Sequence, residues 1–147
     1  MPGDKAQFLH MQIRQKKNGL IFSYYIFTKK IFKGEPIQVF NNGNMKRDFT
    51  YIDDIITGTR SAMVKNFKCE VFNLGNHKSE ELMDVVHYIE ENLGKKAKID
   101  FKPMQPGDVK ESFADIEKSI EKLGYKPTTN VDAGIEQFIN WFKEYFD

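Results

Sequence analysis

The chain has 147 residues, and its 22 Lys+Arg against 21 Asp+Glu leave a formal net charge of +1. That length suits one domain of about 100–200 residues with a true core, and the charge balance argues against a general nucleic-acid binder, which carries a basic excess. The single cysteine, Cys69, excludes an intramolecular disulfide framework and fits a reducing, cytoplasmic compartment.

No membrane span or secretory signal is expected either. The longest apolar run, Leu20 to Phe27, is broken by Ser23. It falls far short of the roughly 20 residues that cross a bilayer and lacks a small-residue cleavage site. With 40% hydrophobic and 29% charged residues, the composition is that of a folded chain.

Residues 1–18 are polar, basic towards their end and without sustained periodicity. Ser23 to Phe32 is apolar with Lys29 and Lys30 to one side, which predicts a helix stopped by Gly34 and Pro36. Ile37 to Phe40 alternates as a short strand, and Asn41-Asn42-Gly43-Asn44 is turn chemistry, because Asn and Gly tolerate positive φ. Arg47 to Ile52, aromatic and β-branched, predicts a second strand. Asp53 and Asp54 then open a helix carrying Ile55, Ile56, Thr59, Ala62 and Met63.

Glu70 to Leu74 (EVFNL) reads as a compact strand ending at Gly75. Ser79 is placed as an N-cap, with Glu80 and Glu81 at the positive end of the helix it begins. Leu82, Val85, Val86, Ile89 and Leu93 share one face of that helix, and Gly94 stands at its C′ position. Ala97 to Phe101 predicts a strand, followed by the loop 103–108 (PMQPGD). Asp115 is expected to cap a short helix bearing Ile116, Ile120 and Leu123, stopped by Gly124 and Pro127. From Thr129 a last helix presents Val131, Ile135, Phe138, Ile139, Phe142 and Phe146 on one face. Strands alternating with helices give an α/β fold, a small sheet packed with helices.

Few residues carry a signal for chemistry. No Gly-rich loop joins a strand to a helix, so there is no ground for an autonomous Walker or Rossmann nucleotide site. Cys69 has no metal-ligand spacing with His10, His77 or His87. The Asp53-Asp54 pair reads better as charge at a helix N-terminus than as catalytic carboxylates, and the apolar stripe of the last helix reads as core. Only three of the basic residues are arginines: Arg14, Arg47 and Arg60. Arg47, at the start of a strand and next to Asp48, would be held rigidly at a sheet end. There its fork suits a diphosphate, or it makes a simple ion pair with Asp48 or another rim acid. Asp108, in a Pro-Gly turn, is by itself a loop-shaping residue.

Four ordered stretches give the chain a family likeness: GEPIQVFNNGNMKRDFTYIDDI, VFNLGNHKSEELMDVV, PMQPGDV and ADIEKSIEKLGYKPTT. Together they resemble the C-terminal, substrate-binding part of the extended short-chain dehydrogenase/reductase family of NAD-dependent nucleotide-sugar epimerases and dehydratases, nearest to the UDP-glucuronate 4-epimerase type. The resemblance implies that residues 23–147 form a nucleotide-sugar-binding domain and that residues 1–22 are an unmatched segment. It also implies a UDP site: Arg47 on the diphosphate, Phe40 holding uracil through its backbone with Gln38 nearby, and Asp108 on the ribose. Gln105 stands where galactose-type relatives carry a further Arg.

The same resemblance implies an NAD-binding Rossmann half and a catalytic Tyr-x-x-x-Lys pair, neither of which is recognised in this sequence. The family's Arg-Pro-Asp segment before the first helix is replaced near Leu20-Ile21-Phe22. The expectation is a reading frame truncated or frameshifted within an epimerase gene, binding UDP or a UDP-sugar without catalysing by itself. Its expected partners are a separate Rossmann-type chain or a second copy meeting an exposed apolar surface.

Overall fold

The computed structural model describes residues 23–146; the segment 1–22, with His10 and Arg14, and Asp147 lie outside the described residues. Helix α1 (Ser23–Lys33) leads through Gly34, in the left-handed region, to strand β1 (Pro36–Phe40). A 3₁₀ turn at Asn41–Gly43 follows, with Asn41, Asn42 and Gly43 all at positive φ, as the turn chemistry anticipates. Next come strand β2 (Lys46–Arg47), helix α2 (Ile52–Lys65), strand β3 (Glu80–Glu81) and helix α3 (Leu82–Leu93). Strands β4 (Lys98–Lys102) and β5 (Glu111–Ser112) and helices α4 (Glu117–Leu123) and α5 (Val131–Phe146) complete the chain.

Two small sheets organise it. β1 and β4 run parallel, with Ile37 opposite Ile99 and Phe40 opposite Lys102. β2 lies between β3, antiparallel, and β5, parallel. Along β1 the alternation is plain: Ile37 and Val39 are fully buried while Gln38 faces solvent. The main core joins these two residues to Phe27 and Ile31 of α1, to Leu82, Val85, Val86 and Ile89 of α3, and to Ile135, Phe138, Ile139 and Phe142 of α5. Edge-to-face aromatic pairs link α1 to α5, including Tyr24 with Phe138 at 5.1 Å and Phe32 with Phe142 at 5.7 Å. Each large side chain fully buried in this way contributes about 1.5–3 kcal/mol relative to exposure. A second, smaller cluster of Ile116, Leu123 and Tyr125 packs beneath Ala62, Phe72 and Leu74.

Several expectations need correction. The strand from Arg47 ends at once, and residues 48–51 take no regular structure before α2 begins at Ile52. Ser79 does not cap α3: Glu80 and Glu81 pair with β2, and Glu81 occupies the cap position without a side-chain bond. Pairing to a neighbouring strand outcompetes the local signal there. Ile120 and Phe146 are 49% and 43% exposed rather than core, and on α4 the buried positions are Ser119 and the expected Leu123. Asp115 does accept the Glu117 N–H, at 3.1 Å.

The largest departure is Glu70–Leu74, which forms no strand. A strand needs a partner ladder, and no backbone–backbone hydrogen bond among the described residues involves 70–75. Side chains hold the segment instead. The buried Ser119 hydroxyl donates to the Asn73 carbonyl at 2.5 Å, and the Tyr125 hydroxyl donates to the Gly75 carbonyl at 3.0 Å. Gly58 of α2 makes this packing possible, because a Cβ there would stand 2.6 Å from Leu74 Cδ2.

Asp54 behaves as structure rather than chemistry. It is 6% exposed, and its two oxygens accept the backbone N–H groups of Thr128 and Thr129 and the Thr128 hydroxyl, all within 3.0–3.2 Å. One carboxylate thus ties the start of α2 to the entrance of α5. Asp54→Ala is expected to lower unfolding free energy by about 2 kcal/mol, since hydrogen bonds to charged groups contribute about 1.5–3 kcal/mol each and water recovers part of the loss. Urea denaturation measures it; a change below the error of that method would show that the tie is dispensable.

Burial pushes the Tyr125 phenol up to about 12 from its ordinary 10.0, with the Asp54 and Asp48 charges adding to the shift. The folded state therefore keeps the proton that the unfolded state loses above 10. This contribution is fully present below pH 10 and is lost as pH rises towards 12. Tyr24, also pushed up to about 12 by burial, acts in the same direction. Thermal melts should show stability falling between pH 10 and 12, with a shallower fall in Tyr125→Phe; identical slopes would contradict this.

Candidate functional site

Parallel strands end on the same side, so the turn after Phe40 and the loop after Lys102 leave the β1–β4 pair together. In parallel α/β sheets, ligands lie outside the carboxyl ends of the strands. The turn carries the chain to β2 within a few residues, and the loop from Pro103 returns as β5 to lie along it. The sites expected from sequence are gathered by this crossing. Phe40, half-buried, ends β1, and Gln38 sits exposed two residues earlier on the same face. Arg47 ends β2, while Gln105 and Asp108 lie on the loop, joined by an Asp108 N–H to Gln105 carbonyl bond at 3.1 Å.

Arg47 does not pair with Asp48. Its Nη2 donates to Asp108 Oδ1 at 2.9 Å and to the Val109 carbonyl at 2.6 Å. Its Nη1 donates to the carbonyls of Lys46 and Lys110 at 2.7 and 3.2 Å. The two charged side chains are only 14% and 20% exposed, so this is a partly buried, charge-assisted pair rather than a solvated one. The ion-pair alternative is thus realised with a partner 61 positions away. The other Asp108 oxygen, Oδ2, is buried without a hydrogen-bond partner.

Asp48 instead anchors the site. It accepts the Thr50 hydroxyl at 3.0 Å and the backbone N–H groups of Asn76, His77 and Ala114 at 2.8, 3.1 and 3.1 Å. These bonds end the β2 strand and pin two distant chain segments against it. His77 is held there at a φ of +57°, and its Nδ1 lies 3.1 Å from the Ala114 carbonyl. A Cβ at Gly75 would meet Ala114 Cβ at 2.5 Å and Asp48 Oδ2 at 2.9 Å, so glycine is required at this close approach. Sequence reading missed Asp48, weighing it only as a partner for Arg47. The available signal was the Asp-x-Thr spacing, which makes a local side-chain turn at a strand end.

Behind Arg47 an open groove of about 870 Å³ runs between segment 47–52, the Leu74–Gly75 corner and α5. Tyr24, Phe49, Tyr51, Ile55, Phe138 and Trp141 give it aromatic and apolar walls, with Arg47 and Asp48 among its lining residues. Phe40, Gln38, Gln105 and Asp108 do not line it, so the expected residues divide between groove and outer edge around Arg47. The Tyr51 hydroxyl donates to Gln137 at 2.9 Å, and its phenol is raised by burial and by the Asp53 and Asp54 charges. Burial also pushes the Tyr24 phenol up to about 12.

The expectation that the chain holds no Tyr-x-x-x-Lys spacing also needs correction, because Tyr25 and Lys29 have that interval. Tyr25 stacks into the aromatic core against Phe138, Phe142 and Phe146, and Lys29 is exposed on α1; neither lines the groove. Among the described residues no group of His, Cys, Asp and Glu could hold a metal ion, and no helix is long and apolar enough to cross a membrane.

Comparison with known proteins agrees with this architecture. The GDP-mannose 4,6-dehydratase family model matches residues 7–138, starting inside the segment 1–22 that the motif likeness left out. An uncharacterized protein of Methanocaldococcus jannaschii is 49% identical over 125 residues, covering 85% of this chain and 38% of that protein. The UDP-glucuronate 4-epimerase of Thermodesulfobacterium geofontis is 37% identical over 123 residues, covering 83% of this chain and 38% of the enzyme. Among solved structures, UDP-glucuronic acid 4-epimerase from Bacillus cereus with UDP-glucuronic acid and NAD superposes with a TM-score of 0.76 at 31% identity. That match covers 90% of this chain and 42% of that one. The chain therefore spans about two fifths of the length of the relatives it matches. Matched over most of its length and sharing the fold of their C-terminal region, this chain belongs to the NAD-dependent epimerase/dehydratase family of extended short-chain dehydrogenases/reductases.

Proposed function

We propose that this chain is the UDP-sugar-holding C-terminal portion of a UDP-glucuronate 4-epimerase-like enzyme and does not catalyse epimerisation by itself. The observation that carries this reading is the partly buried Arg47–Asp108 pair, held where the loop after β4 returns along β2, beside a groove with aromatic walls that Arg47 lines. A guanidinium fork matches phosphate oxygens, and a carboxylate oxygen without a donor matches a ribose hydroxyl. In this reading Phe40 and Gln38, at the end of β1, would hold the base. Relatives of the family are solved with UDP-glucuronic acid and with UDP-glucose bound.

NAD supplies the redox chemistry in the complete family enzyme. The described residues do not fit it: among them no glycine-rich turn joins a strand to a helix N-terminus. No step of the proposal runs through NAD. What this chain contributes is grip on the nucleotide end, which in such enzymes positions the reacting sugar.

A second reading rests on a specific observation. Segment 70–75 has strand composition but no ladder, and the adjoining surface is apolar: Met63 and Val64 are each 76% exposed and Val71 79%. In this reading the chain is an enzyme half completed by a separate NAD-binding chain that pairs with this segment and covers α2. Mixing it with the NAD-binding half of a relative and assaying NAD-dependent epimerisation of UDP-glucuronate separates the two: activity in the mixture supports completion, and its absence leaves a binding domain.

Isothermal calorimetry with UDP tests the main reading. Binding in the millimolar range or tighter is expected, and no heat from a demonstrably folded chain would leave a structural module without ligand. Arg47→Ala should lower UDP affinity at least tenfold, and Arg47→Lys, which keeps the charge but loses the fork, should recover only part of it. Unchanged affinity in both would reduce Arg47 to a loop tether.

A further inference from the structure

Arg47 is at once the group best suited to a diphosphate and one whose fork is already filled. Both terminal nitrogens make two bonds each, to Asp108 Oδ1 and to the carbonyls of Lys46, Val109 and Lys110. Nε–H is left as the donor without a partner among the described residues. Three of the four acceptors belong to residues 108–110, which also form their own turn: Val109 N–H donates to Asp108 Oδ1 at 2.9 Å. The loop therefore brings a carboxylate and two carbonyl oxygens onto the guanidinium, on the same donors that phosphate oxygens would use.

We propose that residues 103–110 form a self-occupying latch, in which Asp108 stands in for phosphate on Arg47 until a diphosphate displaces it. This rests on the nucleotide-binding reading above and assigns a conformational gate to the same site. In the closed form the Arg47 charge is neutralised and partly buried. On binding, phosphate oxygens take over Nη1 and Nη2, and the loop shifts so that Asp108 lets go of the guanidinium and is free for a ligand hydroxyl. Two features equip the loop to move. Pro103 to Gly107 is exposed, and Gly107 stands at a φ of +81° with nothing within 4 Å of a would-be Cβ. Asp108 Oδ2 is buried and unpartnered, a cost the closed form carries and a released carboxylate escapes in water or on a ligand hydroxyl. A ligand shifts such an equilibrium only by its differential affinity for the open form, so the closed latch must weaken every anion that uses Arg47.

Inorganic pyrophosphate tests the latch, because it has no ribose and cannot use Asp108 as a ligand contact. Asp108→Asn removes the competing charge while keeping the side chain's shape. The variant, checked for folding by circular dichroism, should bind pyrophosphate about tenfold more tightly than the wild-type chain, since a charged acceptor is roughly twice as strong as a neutral one. Equal or weaker binding, or no binding to either protein, overturns the latch. In wild type, pyrophosphate should shift the amide resonances of Gly107, Val109 and Lys110 along with those of Lys46 and Arg47. Shifts confined to Lys46 and Arg47 overturn it too. UDP titration of the wild-type chain decides the nucleotide reading separately: UDP binding with no gain in the Asp108→Asn variant means a nucleotide site without a latch.

Discussion

The Asp48 carboxylate, set one residue beyond a two-residue strand, accepts three backbone N–H groups from two distant segments and a hydroxyl from its own turn. A carboxylate with several backbone donors replaces a stretch of sheet ladder with one compact junction. The β2 strand stops there, residues 75–77 and 112–114 are fastened to it, and α2 can begin four residues later. Arg47, immediately before, is thereby fixed in direction. Gly75 completes the junction by leaving room that any Cβ would fill.

The Arg47–Asp108 site depends on that fixation. The parallel β1–β4 pair delivers a turn and a loop to the same side, and the short β3-β2-β5 sheet draws them together. Without the Asp48 junction, the loop bearing Asp108 would have no rigid guanidinium to close on. Asp54 does the same service on the opposite side of the groove, where it sets the entrance of α5 and so the wall that carries Val131, Ile135 and Phe138. Both carboxylates hold backbone N–H groups that would otherwise lack partners.

Segment 70–75 shows the complementary case, where a strong local preference has no partner to satisfy it. Its side chains alternate and its composition favours a strand, yet strand formation is a property of pairs. Ser119 and Tyr125 satisfy two of its carbonyls and leave Val71 in solvent. Exposed apolar residues of α2, Ile56, Met63 and Val64, precede it in the chain. Segment 70–75 thus stays without a ladder beside exposed apolar side chains of α2.

Local periodicity by itself determined the helices, the β1 and β4 strands and the turn at 41–44, because amphipathic spacing and positive-φ residues act over a few positions. It also marked Arg47, since arginines are scarce, while the loop acid came from a family motif. Tertiary structure alone decided what those groups do. That Arg47 meets Asp108 rather than Asp48, that Asp48 binds backbone from residues 28, 29 and 66 positions away, and that Glu80 and Glu81 pair with β2 instead of opening α3 are matters of long-range geometry. Hydrogen bonds are won by whichever donor the fold brings within about 3 Å, and sequence adjacency does not confer that.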